Sequence, residues 1–300
     1  MSPPNYDSPT EIKSFLESKG FAMQKHFSQN FMVNPSARRK IADLAELNAG
    51  ECVWEIGAGL GCMTRELLAR GSRVKAFEID RGFCSSLRDF YESEVASGVL
   101  QIIEGDVMKT WQGELEKAHT DAATLKVVGN LPYSIASVFI AQTIRCGVAF
   151  SRCVFTVQQE VAHRMAAGVG SKDYSAFSVL CQFAYDVKLS LPLAAGSFWP
   201  RPRVSSQAVV LTRKAEIFPC SAEAFSLVVN CLFASRRKTI LNNARSLPLG
   251  GLPPEDFLAS CGVEGTLRAE NLDGIDFARI AGEFGKVTSS TTAMRSVKNP

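Results

Sequence analysis

Few folds accept the order of segments that begins at Cys52. "CVWEI" reads as a buried strand, "MTRELLAR" as a helix, "RVKAFEI" as a strand, "FCSSLRDFYE" as a helix and "VLQIIEG" as a strand, with glycine or a short polar turn between them. Strands that return in one direction through helices form a parallel sheet covered on both faces, so the pattern predicts an α/β domain. "LKVVGN", a helix from Ile135 to Arg145, "CVFTVQ" and the helical "EVAHRMAA" continue it, and "VKLSLPL" and "SQAVVLT" can close the sheet as an edge hairpin ending near Thr212.

The flanks read differently. Ser8-Pro9-Thr10-Glu11 is a capping-box pattern that opens a short helix ending at Gly20, followed by an irregular, partly aromatic "FAMQKHFSQNFMVNP" and a helix from Pro35 to Leu47. From Ser221 to Phe284 the periodicity is helical, with breaks at Pro248 to Pro254 and around Gly262. The expected organisation is an N-terminal helix and covering segment (1–34), a sheet domain (35–212), a helical domain (213–285) and a disordered tail (286–300).

Composition excludes several classes of protein. Hydrophobic residues make up 46% of the 300, enough for a sizeable core, while runs such as Val148 to Val157 are interrupted far short of the ~20 residues of a membrane span. The first twelve residues resemble neither a signal nor a transit peptide, which makes the cytoplasm the expected location. Nine cysteines never form CxxC, and His26, His119 and His163 have no ligand spacing, so free thiols and no metal are expected. Net charge is only +3, yet eight basic residues lie between Arg201 and Arg245 against Glu216 and Glu223, and Lys13 to Lys40 is basic too.

The first chemical motif is "VWEIGAGLGCMT". Gly57, Gly59 and Gly61 between a strand and a helix let the backbone turn tightly and approach a ligand closely, which implies a nucleotide-like molecule. The spacing is GxGxG, whereas dinucleotide folds prefer GxGxxG. Glu78, at the end of the second strand in "VKAFEID", can accept both hydroxyls of a ribose, and Asp106, after the third in "IIEGDV", can accept from an adenine amino group. Glycines followed by these two acids form a pattern for S-adenosylmethionine without the pyrophosphate of NAD. At this point the chain resembles the class I, Rossmann-like methyltransferases.

"VVGNLPYSIAS" then falls at the end of the fourth strand. Methylating an exocyclic base amine needs acceptors for its hydrogens, and Asn130 offers a side-chain carbonyl and Leu131 a backbone one. Pro132 fixes the backbone without donating, and Tyr133 offers a flat face on which a base can stack. With an activated methyl group, positioning and electrostatics suffice without a strong base. A base reaches such a pocket only when unpaired or flipped out, and "SFWPRPRV" supplies Phe198 as an expected second stacking face, with Arg201 and Arg203 beside it for phosphates.

"KHFSQNFMVNP", "EIGAGLG", "FEID", "EGDV", "GNLPYSIAS", "FWPRPRV" and "FASRRKTILNNAR", in this order from Lys25 to Phe284, resemble the KsgA-type ribosomal RNA adenine dimethyltransferases of the small subunit. The resemblance implies conversion of two adjacent adenosines in the 3′-terminal hairpin of small-subunit (16S) ribosomal RNA to N6,N6-dimethyladenosine, four methyl transfers in all. It also implies action within a pre-30S particle; the oligomeric state is left open by the sequence, with a monomer expected. Gln29, Asn30, Met32, Ile79 and Val107 join Gly57, Gly59, Gly61, Glu78, Asp106 and Asn130 as implied cofactor contacts, and Arg236, Arg237 and Lys238 as implied RNA contacts. Ser28, Ser205 and Ala269 depart from the family's usual glycine, aspartate and proline. Serine at 28 is shared with the large-subunit (23S) enzymes of macrolide resistance, which leaves that sister activity, and a role in assembly by binding alone, as alternatives.

Overall fold

The computed structural model describes residues 1–21, 30–118, 121–131, 133–215 and 220–296. Two compact units divide the chain: residues 1–139, 150–162 and 187–213, and residues 140–149, 163–186 and 214–300.

The first unit opens with α1 (Pro9–Ser18), whose N-cap Ser8 accepts from the Glu11 amide. The carboxylate of Glu11 accepts from the Asn5 amide, so the capping box is only half made. Strand β1 (Phe31–Met32) and α2 (Pro35–Leu44) follow, then β2 (Cys52–Ile56), α3 (Cys62–Leu68), β3 (Arg73–Glu78), α4 (Arg81–Phe90), α5 (Glu92–Ala96), β4 (Leu100–Glu104) and α6 (Val107–Ala118). After these come β5 (Lys126–Asn130), α7 (Tyr133–Arg145), β6 (Arg152–Gln158), α8 (Gln159–Ala166), α9 (Ala176–Ala184), β7 (Tyr185–Leu193), β8 (Phe198–Trp199) and β9 (Ser206–Arg213).

Seven strands form one sheet in the order β4-β3-β2-β5-β6-β9-β7. The pairs β3–β4, β2–β3, β2–β5 and β5–β6 are parallel, and β9 runs antiparallel to β6. The order reverses at β2, with β3 on one side and β5 on the other, so the carboxyl ends of these strands open a crevice where ligands of such sheets bind. β1 and β8 form a separate antiparallel pair, with Met32 opposite Phe198. The core is apolar on both sheet faces, with Trp54 packed against Phe77 and Phe150 at centroid distances of 5.0 and 5.6 Å. Among the buried ion pairs of the described residues, Lys75 Nζ meets Glu114 Oε2 at 2.7 Å, and Lys117 reaches the other oxygen at 2.9 Å.

The second unit contains α10 (Ala222–Leu232), α11 (Ile240–Ala244), α12 (Pro254–Ser260) and α13 (Gly274–Ser296). Ser221 caps α10 and Thr239 caps α11 through their side chains. Two departures from the sequence expectation concern this unit. It is not confined to 213–285 but takes in 163–186, because α9 packs against α10 and α13 and Phe183 stacks on Phe225 at 3.8 Å. The chain also stays helical past Lys286, where a disordered tail was expected. Thr288 and Ser289 have no apolar periodicity to offer, yet their hydroxyls donate back to the carbonyls of Phe284 and Gly285 within the helix.

Candidate active site

An open cleft lies at the carboxyl ends of β2, β3, β4 and β5, the place where sheets of this kind bind nucleotide-like ligands. β2 and the turn after it contribute Glu55, Ile56 and Gly57 to Gly59; β3 ends in Glu78 and Ile79; Asp106 and Val107 follow β4; Asn130 and Leu131 close β5. Asn30 and Met32 line it from the covering segment. Four segments far apart in sequence meet because parallel strands all end on one edge.

Each polar group is held in a defined pose. Gly57 and Gly59 have φ of +76° and +57°, the left-handed region that favours glycine. The Gly59 amide donates to Glu78 Oε2 at 2.7 Å and the Asp80 amide to Oε1 at 2.9 Å. Both oxygens are thereby fixed, and with the Ile79 amide also bonding the carboxylate a lone pair is left for a ribose hydroxyl. Asp106 Oδ1 accepts from the Met108 amide at 3.0 Å, which leaves Oδ2 for an amino group. Asn130 Nδ2 donates to the Asn30 carbonyl at 2.8 Å. A carbonyl can only accept, so the contact settles which end of the amide is which and leaves Asn130 Oδ1 as the acceptor.

Sequence reasoning passed over Glu55, the charged residue inside the apolar "CVWEI". It is 2% exposed and lines the cleft, and Thr64 donates to its Oε2 at 2.6 Å. Burial, with a smaller contribution from nearby Glu78, pushes its carboxyl up to about 8 despite the Thr64 hydrogen bond. Burial raises Glu78 as well. The signal that could have found Glu55 was a carboxylate where the strand pattern calls for an apolar side chain. Phe83 also lines the cleft, from the first turn of α4, and no motif marked it. Burial pushes the Cys62 thiol up to about 12, so it contributes an apolar wall and no nucleophile.

The lining contains three acidic side chains, Glu78, Asp106 and Glu55, the last held protonated up to about pH 8 by burial, and among its described residues no lysine, arginine or histidine. A pyrophosphate would meet no compensating charge here, whereas a cationic sulfonium and ammonium would be attracted. This donor set fits S-adenosylmethionine and disfavours NAD.

Other expected site residues are placed differently. Gln29 and Pro132 lie outside the described residues, and Tyr133 begins α7. Gly61 does not line the cleft; it is the N-cap of α3 at φ +88°, where a Cβ would sit 2.9 Å from Leu87. Its glycine is required by packing behind the loop. Phe198 corrects a further expectation: it is 3% exposed, belongs to the core with Met32 and Met63, and does not line the cleft, so its ring is not presented as a second stacking face. Pairing of β8 with β1 draws it inward. Arg201 and Arg203 are exposed in the first unit, and Arg236, Arg237 and Lys238 in the second. Arg236 is ion-paired with Glu270 at 2.9 Å, which leaves it less available to a phosphate. Among the described residues no group of His, Cys, Asp and Glu could hold a metal, and no helix is long and apolar enough to cross a membrane.

Comparison with known proteins agrees with this geometry. The fold is that of class I S-adenosylmethionine-dependent methyltransferases. A dimethyladenosine transferase from Plasmodium falciparum superposes with a TM-score of 0.69 at 25% identity, over 85% of this chain and 97% of that one. The 23S rRNA methyltransferase ErmE shares the fold at a TM-score of 0.59 and 22% identity, over 85% and 100% of the two chains. The chain is 43% identical to the ribosomal RNA small subunit methyltransferase A of Treponema denticola over 95% of its own length and 97% of the relative's. The relative of the same name from Myxococcus xanthus is 36% identical over 95% and 98%. The model of the family described as ribosomal RNA adenine dimethylase matches residues 20–284, and the chain belongs to that family.

Proposed function

We propose that this chain is an S-adenosylmethionine-dependent ribosomal RNA adenine dimethyltransferase. It methylates N6 of two adjacent adenosines in the 3′-terminal hairpin of small-subunit RNA, within a pre-30S particle. The observation that carries the reading is the pose of Asn130: its Nδ2 is committed to the Asn30 carbonyl, so its Oδ1, the end left to accept, stands at the rim of an acid-lined cleft.

When bound, S-adenosylmethionine supplies a methyl group on a sulfonium. The residues of the chain do the positioning. Glu78 takes the ribose through the lone-pair capacity that its backbone hydrogen bonds leave free. Asp106 Oδ2 takes the adenine amino group, against the apolar side chains of Ile79 and Val107. Asn130 Oδ1 and the Leu131 carbonyl accept the two hydrogens of the target amine, which turns its lone pair toward the methyl group. Fixed acceptors of this kind need no reorganisation as positive charge develops on the nitrogen, and that is where their catalytic value lies. Arg201, Arg203, Arg237 and Lys238, with Arg236, supply positive charge for the RNA backbone.

The test is transfer of labelled methyl to small subunits that lack these methyl groups, with large subunits and duplex DNA in parallel, followed by nucleoside analysis. Dimethyladenosine on small subunits alone is expected. Label on large-subunit RNA would transfer the chain to the sister activity, and binding to small subunits without any label would make it an assembly factor.

A further inference from the structure

The first 21 residues make contacts that the reaction described above does not use, and they converge on the back of the cofactor cleft. Tyr6 is completely buried, and its hydroxyl donates to the Leu60 carbonyl at 2.5 Å across 54 positions of sequence. The Tyr91 hydroxyl, 3.4 Å from that of Tyr6, donates to the Gly61 carbonyl at 3.2 Å. The Arg65 guanidinium lies over the Tyr6 ring, 4.9 Å from its centroid. Two phenols therefore grip successive carbonyls of the glycine loop from the side opposite the ligand. In a planar trans peptide the carbonyl and the next amide point in opposite directions. Fixing the Gly61 carbonyl thus fixes the amide of Cys62, a residue that lines the cleft.

A second anchor is Arg38, also completely buried. Its Nη1 donates to the carbonyls of Met32, at 2.7 Å, and Tyr6, at 3.4 Å, while Nη2 pairs with Asp7 and Nε lies 3.6 Å from Glu66. One guanidinium thereby joins the N-terminal segment to a residue of the cleft wall. The third anchor is aromatic: Phe21 packs edge-on against Phe83 at 5.5 Å, and Phe83 lines the cleft. Gly82 leaves room for that ring, since a Cβ there would lie 2.5 Å from Phe21.

We propose that residues Tyr6–Phe21 are a strap that sets the affinity for the cofactor, with Tyr6 and Arg38 as positioning residues for the glycine loop and for Met32. The proposal rests on the cleft being the S-adenosylmethionine site. None of these residues touches the cofactor or the base, so their effect is felt in cofactor binding and not in the chemical step.

Tyr6→Phe removes one hydroxyl and keeps the ring, and Gly82→Ala displaces Phe21 independently. For both, the dissociation constant of S-adenosylmethionine is measured by calorimetry and compared with kcat at saturating cofactor and with RNA affinity. Val210→Ala, a core truncation on β9, controls for lost stability. Loss of one buried hydrogen bond predicts roughly tenfold weaker cofactor binding for Tyr6→Phe, with kcat and RNA affinity within about twofold. Faster hydrogen exchange at the Gly61 amide, which shares a peptide with the Leu60 carbonyl that Tyr6 holds, is expected in the cofactor-free Tyr6→Phe variant. Unchanged cofactor affinity alongside a lowered melting temperature would reduce the strap to a structural brace and overturn the proposal. Absence of calorimetric binding by the unaltered protein would instead remove the cofactor reading, and the proposal with it.

Discussion

Glu55→Gln tests the electrostatics of the cleft through stability alone, without cofactor or RNA. In the unfolded chain the Glu55 carboxyl ionises near its ordinary value of 4.5, whereas in the fold burial holds its proton until about pH 8. Between those values the folded state binds one more proton than the unfolded state, so stability falls as pH rises, and the loss is complete once pH passes the folded value. A tenfold change in proton affinity is worth about 1.4 kcal/mol, so the interval from 4.5 to about 8 corresponds to about 5 kcal/mol. Glutamine has the same shape, accepts the Thr64 hydroxyl in the same way and carries no titrating group. Urea unfolding of the ligand-free protein and the variant from pH 5 to 8.5 should give similar stabilities at pH 5. The variant should then gain by up to about 1.4 kcal/mol per pH unit, reaching several kcal/mol at pH 8. A difference that stays constant with pH would show that Glu55 is ionised in the fold, and the account of its burial would be wrong. Glu78 titrates in both proteins, and the comparison isolates Glu55.

Asn130→Ala should lower methyl transfer at least about 100-fold, the scale of losing one fixed transition-state hydrogen bond, while RNA affinity in a filter assay stays within a few fold. Reversing Arg236, Arg237 and Lys238 to glutamate should weaken RNA binding and flatten its dependence on salt, measured as log K against log salt concentration. Lys75→Met leaves Glu114, only 8% exposed at its side chain, with Lys117 alone. It should cost about 3 kcal/mol of stability, less than the loss of a wholly unpaired partner, read from urea midpoints. Gly61→Ala meets both a left-handed φ and a Cβ contact of 2.9 Å with Leu87, and should cost about 2 kcal/mol or more.

Convergence of Gly57, Glu78, Asp106 and Asn130 was legible in the sequence because strand direction alone forces it: in a parallel sheet, residues that end successive strands share an edge. Glu78 and Asp106 could be placed at one crevice without coordinates for that reason. Phe198 could not. Its neighbours "WPRPRV" look like an exposed, rigid loop, and only the pairing of β8 with β1 turns the ring into the core. Helix α9 was missed because "AFSVLCQFA" is apolar on nearly every side, a pattern without period that buried helices and strands share. The links from Tyr6 to Leu60 and from Arg38 to Met32 join side chains to backbone carbonyls, and a carbonyl leaves no mark in a sequence.

Asn130 sits at the end of a rigid strand, but its amide is oriented by the carbonyl of residue 30, exactly one hundred positions earlier. The acceptor proposed for the reaction is thus a composite of two segments and is complete only while Asn30 keeps its place. Four methyl transfers require three cofactor exchanges between them, and any exchange that displaces Asn30 dismantles the acceptor and rebuilds it before the next turnover. Substitutions next to residue 30 should therefore register in the rate of the chemical step as well as in cofactor affinity, although no atom of that segment donates or receives the methyl group.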